Sequence, residues 1–190
     1  MIDANANNIV KALLMAALEL FEHKIIVRNI YPEVLMISAD FKKVMFANTN
    51  LLVRFYEEDD RECHAPQPYN CIRYPGLRHL PTLDPHRDLW AIGMILMELL
   101  LGTEFFKFKT SYNWIKSLFE AVKPILDQPL QALLDFLCFC SVQANIECFI
   151  SSVLEKQPDY ILCQRRRIQV ALYDDRNLGN LWNLVLAKKK

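Results

Sequence analysis

From Leu89 to Leu101 the chain runs apolar, and Glu98 is the only charge in the run. The run is too short to cross a bilayer, which takes roughly 20 apolar residues. A helix that is apolar on every face is instead a buried one, surrounded by the rest of the fold. The pattern predicts a central helix over residues 87–101, ended near Gly102. Other segments must cover it, and 190 residues, 53% of them hydrophobic, suffice for one domain with a sizeable core. Only 4 glycines are present, which argues against a phosphate-cradling loop and against an all-β fold built on tight turns.

The covering segments are legible as periodic stripes. Ile9, Leu13, Ala16, Ala17, Leu20 and Phe21 fall on one face of a helix over residues 8–22, with Asn8 placed as its cap. Residues 34–37 and 44–47 read as two short strands joined by a turn at 38–43. Residues 56–85 hold five of the nine prolines and read as an irregular surface segment. After the buried helix, three amphipathic helices are expected. Trp114, Ile115, Leu118, Phe119 and Val122 mark the first, with Ser111 as a cap. Leu130, Leu133, Leu134 and Leu137 mark the second, and Ile146, Phe149, Ile150 and Val153 the third. Residues 160–173 are ambiguous, because Ile168, Val170 and Leu172 alternate like a strand. A last helical stripe is formed by Leu178, Leu181, Trp182, Val185 and Leu186.

Several chemistries are disfavoured at this level. With 22 basic and 22 acidic side chains the formal net charge is zero, so no global field draws the chain to nucleic acid or acidic membranes. The short runs at 165–167 and 188–190 read as solvated faces. The six cysteines show no Cys-x-x-Cys pair, so Cys63, His64 and Cys71 do not suggest zinc, and Cys138 and Cys140 read as packing. His23, His79 and His86 have no serine or cysteine nucleophile in a recognisable elbow beside them. No metal and no cofactor is expected. The cysteine usage and the absence of a secretory leader imply a reducing intracellular compartment, taken as the cytoplasm.

Three local sequences, in order, resemble the large, C-terminal lobe of the protein kinase family. Asp88, Trp90 and Gly93, followed by Glu98, Leu99, Leu100 and Gly102, are similar to the D-x-W-x-x-G central helix with its E-L-L-x-G ending. Arg28, Pro32 and Glu33 match the catalytic loop H-R-D-L-K-P-E-N, here read over residues 27–34. Tyr74, Pro75 and Gly76 stand where A-P-E would be, and the spacing from Pro75 to Asp88 is typical of the family. The resemblance covers roughly residues 8–154. It implies that Asp88 is buried and accepts hydrogen bonds from the backbone of the 27–29 loop, since a buried carboxylate needs donors.

The departures from that pattern bear on activity. Asn29 stands for the aspartate that would accept the substrate hydroxyl's proton, and an amide has no usable basicity at neutral pH. Val34 stands for a metal-binding asparagine, and Ala47, by its spacing from Asn29, for the D-F-G aspartate. Phosphoryl transfer depends on positioned metals and an oriented nucleophile, and all three side chains are missing. Asp40, Phe41 and Lys42 fall too early to supply a D-F-G and read as the hairpin turn. Gly76 and Asn145 stand for an acid and a base that pair in the family, so both are lost together. No small lobe is expected before Asn8.

The expectation is therefore a mainly α, kinase C-lobe-like domain over residues 1–157 with one or two short β-hairpins, and a C-terminal extension over 158–190. Its expected role is that of a catalytically inactive module or scaffold subunit that binds other proteins. Leu178, Leu181, Trp182 and Val185 are the candidate contact residues. The alternative is a divergent protein kinase whose small lobe lies outside this chain, with Glu33 as the nearest remaining carboxylate of the loop.

Overall fold

The axis of the fold is helix α2, His86–Leu101, in which every residue from Asp88 to Met97 is buried, as are Leu100 and Leu101. The structure is a computed structural model and describes residues 5–47, 49–50, 52–55, 69, 86–102, 112–139 and 145–174. Tyr74, Pro75, Gly76, Ser111 and the stripe from Leu178 to Leu186 lie outside the described residues. Gly102 ends α2 in the left-handed region at φ 97°, its N–H bonded to Glu98 O at 2.8 Å. A glycine is the usual residue for that closing turn.

The described chain is mainly helical. Helix α1, Ala6–Glu22, buries Ile9, Val10, Leu13, Leu14 and Ala17 and packs on α2. It starts earlier than its apolar stripe suggests. Asn5 is the capping position and makes no side-chain cap bond, whereas Asn8 lies exposed inside the helix. Asn7 is the buried polar residue of that end.

Beyond α1 the chain forms two small antiparallel sheets. Strand β1, Ile25–Ile26, pairs with β4, Val53–Arg54, an element pair too short to show any period in the sequence. A single 3-10 turn, Pro32–Val34, leads into β2, Leu35–Ile37, which pairs with β3, Val44–Phe46. The register sets Leu35 opposite Phe46, Met36 opposite Met45 and Ile37 opposite Val44. Leu35, Val44 and Phe46 pack toward the core, and the alternation leaves Met36 and Met45 exposed on the other face. Residues 38–43 close the turn, with Ser38 N bonded to Lys43 O at 3.0 Å, so Asp40 and Phe41 belong to it as expected.

Helices α3, Tyr112–Val122, and α4, Gln128–Phe139, follow where the apolar stripes put them. Asp127 opens α4, its carboxylate accepting from Leu130 N at 3.2 Å. Asn145 likewise caps α5, Ile146–Phe149, its side chain accepting from Cys148 N at 2.8 Å. The turn continues as the π-helical stretch Ile150–Leu154. Aromatic contacts seal α2 to α3 and α4. Trp90 meets Phe139 edge-on at 6.3 Å, and Phe139 lies 4.9 Å from Phe119.

Residues 160–174, ambiguous in the sequence, form a helix, α6, Tyr160–Asp174, and this helix packs on α1 and α2. Tyr160, Ile161, Gln164 and Ile168 are buried within the same core as α2. A boundary at residue 157 therefore cuts through one packed unit. Asn7 fixes the junction. Its side-chain NH2 donates to Gln157 O at 2.6 Å, and its carbonyl accepts from Ile161 N at 2.8 Å.

At Gly93 helix α2 packs tightly against α4. A Cβ added there would stand 2.5 Å from Cys138 Sγ and 3.2 Å from Leu137 Cβ. Alanine in a helix is favoured over glycine by about 0.5–1 kcal/mol, but forcing atoms into a packed core costs about 1–3 kcal/mol. Gly93→Ala is therefore expected to lose stability, and Gly93→Ala with Cys138→Ala to regain part of it. Urea midpoints of the two variants decide the matter; a single variant as stable as the parent would mean that this approach is not tight.

Candidate functional site

The site is built around the carboxylate at the head of α2. Asp88 is 8% exposed and accepts from Val27 N at 2.6 Å and Arg28 N at 2.8 Å, the geometry expected of it. These distances are those of charge-assisted bonds. Burial pushes the Asp88 carboxyl up to about 6, opposed by the two amides and by the positive charges of Arg87 and Arg28. Desolvation is the larger effect, even with two donors in place.

The loop above Asp88 is strained. Arg28 lies in the left-handed region at φ 67° with its side chain inside the fold. A bulky residue adopts that conformation only when its surroundings hold it, at a cost of order 1–3 kcal/mol. The two bonds to Asp88 come from this residue and the one before it, and they supply the hold. Asn29 follows, 2% exposed, and among the described residues its Oδ1 accepts no hydrogen bond. Such an unsatisfied buried acceptor costs about 1–3 kcal/mol. Pro32 opens the 3-10 turn, which its fixed φ suits, and Glu33 is exposed on it. Val34 is buried, and Ala47, exposed, donates its N–H to Val34 O at 2.8 Å, so positions 34 and 47 are neighbours through the hairpin.

One part of the site has no signal in the sequence. Tyr69 is buried, and its hydroxyl donates to Glu98, the lone charge of the α2 run. Burial raises the Tyr69 hydroxyl well above its usual range, with the Glu98 bond adding to it. Burial also raises Glu98, against the Tyr69 bond, and the Glu33 carboxylate pushes both groups further up. The charge of Glu33 in the loop thus acts on both Glu98 of α2 and Tyr69. Tyr69 and Glu98 are distant in sequence, and nothing in the sequence of residues 56–85 singles out Tyr69.

The remaining singled-out residues are dispersed. His23 sits just past α1, with Nδ1 2.8 Å from Glu19 O. Cys138 is buried packing, Cys148 and Cys163 are exposed thiols, and Arg166 and Arg167 lie on the solvent face of α6. Among the described residues no group of three or more His, Cys, Asp or Glu side chains could hold a metal ion. No helix among them is long and apolar enough to cross a membrane.

No protein-family model, curated protein or solved structure matches this chain.

Proposed function

We propose that the chain is a catalytically inactive, protein kinase-like large lobe that acts by binding other proteins, as an interaction module or scaffold subunit. The observation that carries this reading is Asp88 holding the strained Arg28 loop, together with what that loop lacks. Strain of this kind is kept where surroundings over-determine a functional conformation. Yet position 29 is an amide, position 34 a buried valine and position 47 an alanine. None of the three can take up a proton near neutral pH or supply a carboxylate to a magnesium ion. A scaffold for phosphoryl transfer without those groups retains shape and surface but not the chemistry.

The purified chain is expected to transfer no phosphate from magnesium-ATP, to itself or to a generic protein substrate, and to show no magnesium-dependent thermal shift with ATP. Transfer that disappears in Glu33→Gln while the fold persists would overturn the reading. It would favour the alternative, a divergent kinase completed by a small lobe from elsewhere. Glu33, exposed on the 3-10 turn, is the carboxylate of the loop that stands on that side.

A further inference from the structure

We draw no further inference here: the strongest candidate, the groove between α1 and the β2–β3 hairpin with Met15 and Met45 exposed along it, carries nothing because nothing in the structure shows what covers it.

Discussion

Ending the chain after Asp159 is expected to unfold it. The cut removes α6, and with it Tyr160, Ile161 and Ile168, each at most 2% exposed. Full burial of side chains of this kind is worth roughly 1.5–3 kcal/mol each. Polar partners are lost as well. Asp127 accepts from the Tyr160 hydroxyl and from Gln164 Nε2 at 2.9 Å, and Asn7 loses the Ile161 amide. The sum rivals the entire stability of an ordinary domain, about 5–15 kcal/mol. Circular dichroism and a urea titration of the shortened chain check this. Ending the chain after Asp174 leaves every one of these contacts in place, so that longer form is expected to fold. A shortened chain that melts cooperatively near the parent's midpoint would return α6 to the status of an appendage.

Replacing Asp88 with alanine is expected to cost about 2–5 kcal/mol. Two buried amides, Val27 and Arg28, lose their acceptor, at about 1–3 kcal/mol each. The left-handed Arg28 loses its hold at the same time. Hydrogen exchange at the Val27 and Arg28 amides should accelerate more than exchange in α2, which separates a released loop from a merely weakened fold. The pH response has a definite sign. Burial raises the Asp88 carboxyl to about 6 from 3.8, so between those values the folded state holds a proton that the unfolded state has released. Its contribution is then greatest below about pH 4 and is lost as pH rises through about 6. The stability difference between the parent and Asp88→Asn should therefore be larger at pH 4 than at pH 7. A difference that grows toward pH 7 would mean that the amides and arginines outweigh burial.

Asp88 was legible because residues 88–102 resemble the kinase central helix, a resemblance that implies an acceptor for the backbone of the 27–29 loop. The β2–β3 hairpin was legible because two apolar runs flank a polar turn. Helix α6 was not. Its buried positions, 160, 161, 164 and 168, follow a helical period, but one of them is Gln164, and a count of apolar residues skips it. Val170 misleads in the other direction, being apolar and 59% exposed, and it completes the false alternation with Ile168 and Leu172. Gln164 is tolerated inside because Asp127 accepts from its amide and returns a backbone N–H at 3.3 Å. That compensation comes from a residue 37 positions away, beyond the reach of any local pattern. The Tyr69–Glu98 pair is hidden in the same way, since it exists only once distant segments meet.

The bond between Asn7 and Ile161 also sets a schedule for the chain as it is made. The buried face of α1 rests on α2 and α6, and the Asn7 side chain has its partners at residues 154, 157 and 161. Synthesis at about 5–20 residues per second puts roughly 8–30 s between the appearance of Asn7 and that of Ile161. For all that time α1 has an apolar stripe and no complete surface to cover it. Closure must then join α1 and α6 across a long loop, a step that slows folding as sequence separation grows. The nascent chain is thus exposed to premature association in a way that the finished fold is not, and the residues most at risk are Ile9, Val10, Leu13 and Leu14 of α1.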